Sequence, residues 1–181
     1  MNPPKSSLNE QQEVTRFASD DARQIKKLGK MRAIILEVLY EWSKKPYQKF
    51  IKKSEPWPVA LPDLMQYPKS SLGFHLACFI LKHNFEIQPK LEDHDVFHVL
   101  TGTGISVPEE ISMQYYLWGN GKRSLYQVAV ISLGTVLFPD YLKLFKTAYK
   151  RGKAAHKFHQ LDFLKLLNQP LFLIKSTFQI I

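Results

Sequence analysis

One short stretch constrains the fold and the chemistry of this chain more than any other. It begins with the run His94-Asp95-Val96-Phe97-His98, which is followed by eleven residues and then Glu110. If the run is helical, at ~100° of rotation per residue, the side chain of His98 lies about 40° round the helix from that of His94. Asp95 lies about 100° from His94, so the three polar side chains share one arc of the helix.

The residues after this run predict that the chain turns back. The glycine-rich segment Thr101-Gly102-Thr103-Gly104 is expected to end the first helix. The segment Ser106-Val107-Pro108-Glu109 is typical of a capping box at the start of a second helix, with proline in its first turn. Because Glu109 is then used by the cap, Glu110 is available to point at the two histidines. The sequence therefore predicts a helical hairpin.

The residue types in this hairpin are those that bind divalent metal ions. Two neutral imidazoles, from His94 and His98, and two carboxylates, from Asp95 and Glu110, would balance a divalent cation and leave room for water or substrate. Histidines four residues apart on a helix are also often simple neighbours or helix caps. The residues alone leave that alternative open.

The motif and its surroundings resemble a known family. The pattern from His94 to Glu110 is similar to the HDxxHx(11)E motif of the Coq4 family of ubiquinone-biosynthesis proteins. The segment SSLGFHLACFILKHN at 70–84 resembles the family's T-x-G-x-x-Y segment, and residues 148–180 resemble its C-terminal ending. The resemblance thus runs from about Leu61 to the C-terminus. The chain departs from the family in lacking an arginine-rich run before the motif, and in having Glu109 where the family has glycine.

The resemblance implies an enzyme that acts on a polyprenylated aromatic intermediate of ubiquinone synthesis. The implied reaction is a metal-dependent, oxidative decarboxylation at C1 of a polyprenyl hydroxybenzoate ring, with His94, Asp95, His98 and Glu110 as both catalytic residues and metal ligands. The resemblance favours zinc, whereas a redox-capable ion such as iron would suit an oxidation better. The implied partners are the prenylated lipid, an anionic membrane surface, other quinone-biosynthesis enzymes and a second copy of the chain.

Two other functions are compatible with the sequence. The protein could be a non-catalytic organiser that holds prenyl lipids and quinone-biosynthesis enzymes, with the four ligands forming a closed structural metal site. It could instead be an HD-type metal-dependent phosphohydrolase, which would use His75 or His83, the pair His94-Asp95, and Asp140. A nucleic-acid partner is not expected, because no recognised binding module accompanies the positive charge.

The positive charge is concentrated in two segments, which favours an anionic partner. The 181 residues carry a formal net charge of +9, with ten basic residues between Arg23 and Lys53 and six between Lys143 and Lys157. The first segment also has apolar residues at helical spacing, which more commonly pack against a protein core than on a membrane. If the protein binds an anionic membrane, this segment is the expected contact. We expect a cytoplasmic protein attached peripherally to the inner face of the membrane, since no apolar run is long enough to span it.

The expected fold is all-α, because apolar residues recur at helical spacing and no convincing strand pattern appears. We expect a single compact multi-helix domain at 20–181, with the metal-binding hairpin and an apolar, lipid-sized cavity. A flexible segment at 1–19 precedes it. The single cysteine, Cys78, lies in an apolar run and is expected to be buried and unpaired.

The expected helices follow from the apolar spacing and from the capping residues. Those at Leu72–Lys82 and from Leu125 toward Phe138 are expected to be core helices, with His75 as a core histidine. The hairpin helices are expected at Glu92–Leu100 and Glu109–Trp118. The others are expected between Asp20 and Pro46, after Pro139, at Leu161–Leu167 and at Leu171–Phe178.

Overall fold

The computed structural model describes Ile34 and residues 57–87 and 92–181 of the chain. Apart from Ile34, which is helical, these residues belong to one compact unit, Trp42–Ile181. The described residues form helices and no β-strand, so the predicted all-α class is confirmed. The predicted flexible segment at 1–19 and the rest of the helix predicted between Asp20 and Pro46 lie outside the described residues.

Within the described ranges, seven α-helices follow one another along the chain, with two short 3₁₀ turns among them. The helices are α1 at Leu61–Met65, α2 at Leu72–Lys82, α3 at Glu92–Thr101, α4 at Val107–Gly119, α5 at Leu125–Leu137, α6 at Leu142–Ala154 and α7 at Leu171–Thr177. The 3₁₀ turns are Pro139–Tyr141, directly before α6, and Phe163–Leu166, before α7. The predicted helices in these ranges are therefore present, except that Phe163–Leu166 is a 3₁₀ turn.

Serine side chains cap two of these helices. The hydroxyl of Ser71 accepts a hydrogen bond from the backbone N–H of Phe74 at 3.2 Å, at the start of α2. The hydroxyl of Ser124 accepts from the N–H of Gln127 at 3.1 Å, at the start of α5. Each cap satisfies one of the backbone donors that a helix start leaves without a partner.

The hairpin of α3 and α4 is held in place mainly by α6. Helices α4 and α6 approach each other closely because each presents a glycine at the crossing. Gly152 of α6 lies against the main chain of Tyr116, and Gly119 of α4 lies against that of Tyr149. A side chain at either position would overlap a backbone atom. The core beside this crossing is built from large buried side chains, among them Leu72, Leu76, Phe97, Tyr116, Phe158 and Phe163.

A buried asparagine locks the end of α4 to the chain that follows α6. The side-chain amide of Asn120 donates to the carbonyl oxygens of Gly152 at 3.3 Å and His156 at 2.9 Å. Its oxygen accepts from the backbone N–H groups of Phe158 at 3.0 Å and His159 at 3.3 Å. Asn120 is 2% exposed, so these bonds satisfy polar groups that water does not reach.

The prediction that α5 is a core helix is wrong. Gln127 and Gly134 are its buried residues. Leu125 and Val136 are 89% and 76% exposed. The composition of α5 is apolar, as expected for a core helix, but the fold covers one face and leaves the other open.

The predictions for His75 and Cys78 are also wrong. Both side chains are exposed on α2. The buried face of α2 is formed by Leu72, Leu76 and Ile80, and the helical period places His75 and Cys78 off that face.

A helix that crosses a membrane must be both long and apolar. In the part of the chain that the structure describes, no single helix is long and apolar enough to cross a membrane. Helix α5 and the following segment Pro139–Ala154 meet those criteria as a pair, with a bend of 103° at the break between them.

A small apolar pocket lies beside the hairpin. It is lined by side chains of the segment before α1 and of α1, α2 and α3, including Trp57, Leu64, Leu76 and Asp95. Its volume is about 10 Å³, which is room for about one water molecule. This pocket is too small for a prenyl chain, and the lipid-sized cavity stays a prediction.

Candidate metal centre

The hairpin brings two histidines and one glutamate together, as the sequence predicts. The Nε2 atoms of His94 and His98 are 3.2 Å apart. One oxygen of Glu110 lies 3.0 Å from Nε2 of His98, and the other lies 3.4 Å from Nε2 of His94. Among the described residues, these three form a group whose ligand atoms all lie within 4.8 Å of one another.

The loop between the two helices fixes the ring of His98. Gly102 has a φ of 65°, the left-handed conformation that lets the chain leave α3 after its last turn. The chain then returns so that the carbonyl oxygen of Thr103 lies 3.0 Å from Nδ1 of His98. Because a carbonyl oxygen only accepts hydrogen bonds, Nδ1 carries the hydrogen. The Nε2 atom of a neutral His98 therefore presents a lone pair to Glu110 and His94.

A second interaction holds the same ring from the side. Phe79 of α2 stacks on His98, with the ring centroids 5.3 Å apart and an interplanar angle of 16°. His98 is 3% exposed, whereas the side chains of His94 and Glu110 are 26% and 34% exposed. The group thus has one buried side chain, His98, that two contacts hold, and two side chains that are partly exposed.

The electrostatics of the group favour a positive charge beside Glu110. Burial disfavours a charged ring at His98, but the hydrogen bond and negative charge of Glu110 outweigh it, so the pKa of His98 is raised above 6.5. Burial also disfavours the Glu110 carboxylate, yet hydrogen bonds from His94 and His98 lower the pKa of Glu110 from 4.5 to about 2. A proton on the histidine rings, or a metal ion in its place, would balance the negative charge of Glu110.

The two adjacent acids make separate contacts, as the sequence predicts. One carboxylate oxygen of Glu109 accepts a hydrogen bond from the backbone N–H of Ser106 at 3.1 Å, which completes a capping box at the start of α4. Glu110, the next residue, points toward the histidines instead. The predicted register of the hairpin is therefore confirmed.

Asp95 lies outside the group of three. It is half-buried on α3 and lines the small apolar pocket with Trp57 and Leu76. Its negative charge contributes to the raised pKa of His98. Its role as a fourth ligand stays a prediction.

The structure does not bring together the ligand set of the phosphohydrolase alternative. In the described part of the chain, the group of possible ligands includes neither His75, His83 nor Asp140. The group instead contains His98 and Glu110, which have no role in the phosphohydrolase alternative.

Two contacts of the site were not predicted from the sequence. The Thr103 contact involves a main-chain oxygen, which every residue has, so no sequence signal marks it. The other is Arg151 of α6, whose guanidinium donates to the carbonyl oxygen of Thr101 at 3.1 Å and to the main-chain oxygen of Ile181. Arg151 thereby attaches the end of α3 to α6. Its position in the basic segment between Lys143 and Lys157 indicated only an anionic partner.

The donor set fits one divalent ion. Ligand atoms that surround an ion at ~2.1 Å lie roughly 3.0–3.4 Å from one another in octahedral or tetrahedral sites. The Nε2–Nε2 separation of 3.2 Å falls in that range, and so do the Nε2–oxygen separations of 3.0 and 3.4 Å, which involve the two different oxygens of Glu110. Two histidines and one carboxylate are typical of zinc sites that keep a position open, and of iron sites that use a facial triad. A closed structural zinc site would have four protein ligands.

Comparisons with known proteins support the fold. No family model and no curated protein match this chain. Among solved structures, the chain is similar to a protein from Nostoc punctiforme PCC 73102 that is provisionally named a ubiquinone biosynthesis protein. The TM-score is 0.59 and the sequence identity is 19%, over 97% of this chain and 92% of that one. At that identity, the comparison shows that the two chains share a fold.

Proposed function

We propose that this protein is a metal-dependent enzyme of ubiquinone biosynthesis that releases the ring carboxyl group at C1 of a polyprenyl hydroxybenzoate as CO₂. A proton takes its place on C1 or, in an oxidative reaction with dioxygen as the oxidant, a hydroxyl group does. The observation that carries the proposal is the convergence of His94, His98 and Glu110, with ligand spacing suited to one divalent ion. The fold shared with a protein provisionally named for ubiquinone biosynthesis and the resemblance of the motif support the substrate class.

The residues of the site divide the work of binding an ion. His98 supplies Nε2, because the Thr103 carbonyl holds the hydrogen on Nδ1. Glu110 supplies the negative charge and contacts both rings. His94, which is half-buried, completes the set. When bound, a divalent ion at these residues supplies Lewis-acid stabilisation of negative charge on a carboxylate or phenolate oxygen.

Three protein ligands favour the enzyme over the non-catalytic organiser. An organiser with a structural site would hold its ion with four protein ligands and leave no position for substrate. The group of converging side chains has three members and does not include Asp95, and two of the three, His94 and Glu110, are partly exposed. A carboxylated ring can therefore approach from the side of these two residues.

The test is a decarboxylation assay with isotopically labelled substrate. Polyprenyl hydroxybenzoate labelled at the ring carboxyl is incorporated in phospholipid vesicles, and released labelled CO₂ is measured with zinc or iron(II) present and after chelation. We expect metal-dependent release by the wild type and by Glu109→Gln, and loss of release in His98→Ala. Release that persists in His98→Ala, or none with either metal, would contradict the proposal.

A further inference from the structure

Helix α5 exposes apolar side chains, whereas a helix that faces water normally exposes polar ones. Its thirteen residues, Leu125–Leu137, include no charged side chain. At ~100° per residue, its exposed side chains fall on one face, which spans about 140°. That face consists of Leu125, Val128, Ala129, Ser132, Leu133 and Val136. The exposed face of α5 is therefore apolar apart from one hydroxyl.

The buried face of α5 carries the hydrogen bonds instead. The side-chain amide of Gln127, which is 1% exposed, donates to the carbonyl oxygen of Gln114 at 2.9 Å. The hydroxyl of Thr135 lies 2.6 Å from that of Tyr115. Both bonds join α5 to α4. A helix with polar contacts inside and apolar side chains outside is suited to an apolar surrounding medium.

The next helix adds a row of positive charge. The exposed side chains of α6 include four lysines, which are spaced three or four residues apart. They are Lys143, Lys146, Lys150 and Lys153, and the helical period places them within about 80° of one another. Helix α6 contains no acidic residue. A break of a few residues separates this row from the apolar face of α5.

We propose that the exposed face of α5 and the lysine row of α6 form a docking surface for an anionic lipid membrane. The occupant must accept apolar side chains and carry negative charge, and a bilayer that contains anionic lipid has both properties. A second copy of this chain fits less well, because it would bring its own lysine row and a net charge of +9. The proposal rests on the proposed function only in that a prenylated substrate resides in a bilayer.

Vesicle co-sedimentation at low salt tests the proposal directly. The probes are vesicles of phosphatidylcholine with phosphatidylglycerol, and vesicles of phosphatidylcholine alone. We expect binding to the anionic vesicles that weakens as salt is added. The double variant Leu125→Gln/Val136→Gln should weaken it by about tenfold or more, because two apolar side chains no longer enter the lipid. Both positions are more than 75% exposed, so the fold should be unaffected.

A matched control removes apolar side chains at another exposed site. Phe172 and Leu173 on α7 are 70% and 46% exposed. The variant Phe172→Gln/Leu173→Gln should bind vesicles as the wild type does. If it weakens binding as much as the α5 variant does, general hydrophobicity explains the result and the proposal is overturned.

The lysine row is tested separately. Replacing Lys143, Lys146, Lys150 and Lys153 with Gln should remove most of the salt dependence, since each lysine near an anionic surface contributes about fivefold to binding. The comparison variant carries Gln at four basic positions of the segment between Arg23 and Lys53. If that variant abolishes binding while the α5 and α6 variants bind as the wild type does, the docking surface is elsewhere.

Two further measurements separate this proposal from its alternatives. His98→Ala should bind vesicles as the wild type does. The proposed docking surface can therefore be correct even if the proposed metal-dependent reaction is not. A polarity-sensitive dye on Val136→Cys, in a Cys78→Ser background, should shift to the blue on anionic vesicles. An unshifted dye would overturn the proposal. A wild type that does not bind vesicles and instead forms a dimer, which the α5 variant converts to monomer, would overturn it as well.

Discussion

The adjacent acids Glu109 and Glu110 allow one chemical change to be compared at two sites. Glu110→Gln removes the carboxylate that contacts both histidines, while Glu109→Gln makes the same change at the cap of α4. We expect Glu110→Gln to lose the divalent ion that the wild type binds. Glu109→Gln should keep the ion and lose about 0.5–1 kcal/mol of stability through the weaker cap.

In the metal-free protein, the size of the Glu110 contribution to the free energy of unfolding follows from its pKa. Its pKa is lowered from 4.5 to about 2 in the folded state, which would correspond to about 3.4 kcal/mol of stability if fully realised. Because the side chain is 34% exposed, water screens the interaction. We therefore expect Glu110→Gln to reduce the free energy of unfolding by about 1–2 kcal/mol at the optimum pH.

The sign of the pH dependence follows from the two shifts. The lowered pKa of Glu110 stabilises the fold above pH 4.5, and this contribution is lost as the pH falls toward 2. The raised pKa of His98 stabilises the fold below pH 6.5, and this contribution is lost as the pH rises through the raised value. The stability difference between the wild type and Glu110→Gln should thus be greatest between pH 4.5 and 6.5.

Urea unfolding followed by circular dichroism, in the presence of a chelator, measures this difference across the pH range. Metal content at neutral pH is measured by mass spectrometry on the same preparations. A stability difference that does not change with pH would refute the coupling of Glu110 to the histidines. Metal lost from Glu109→Gln and kept in Glu110→Gln would show that the hairpin register is wrong by one residue.

Three further predictions concern the hairpin and its support. Metal affinity should fall as the pH drops through the raised pKa of His98, because a proton competes for the ring nitrogen, and calorimetric titration at several pH values checks this. Gly104→Ala should cost about 1 kcal/mol, because its Cβ would overlap the capping carboxylate of Glu109, and this cost should disappear in a Glu109→Ala background. Asn120→Ala should lower the free energy of unfolding, measured with urea, by about 3 kcal/mol. The reason is that the buried N–H of Phe158 and the carbonyl oxygen of His156 each lose a hydrogen-bond partner. A decrease below about 1 kcal/mol would refute that role.

The hairpin could be predicted from the sequence because its determinants are local. The spacing of His94 and His98 fixes their common face on α3, and the segment from Ser106 to Glu109 fixes where α4 begins. Those two facts place Glu110 toward the histidines. The placement of Asp95 depends on how α1 and α2 pack against α3, and the motif contains no information about that packing.

The environment of α5 could not be predicted from its composition. An apolar helix of thirteen residues is compatible with a protein core, a partner or a lipid surface, and the period alone does not distinguish them. The hydrogen bonds of Gln127 and Thr135 to α4 decide which face turns inward. The role of Asn120 could not be predicted from the sequence either, because its hydrogen bonds join residues 32 to 39 positions apart in the chain.

The central claim is that His94, His98 and Glu110 bind one divalent ion. Calorimetric titration of the chelator-treated protein with zinc or iron(II) tests it most directly, with His75→Ala as the control because His75 is exposed on α2 and outside the group. We predict one bound ion per chain in the wild type and in His75→Ala, and loss of that binding in both His94→Ala and His98→Ala. Full retention of the ion in both of those variants, or its loss in His75→Ala instead, would contradict the account.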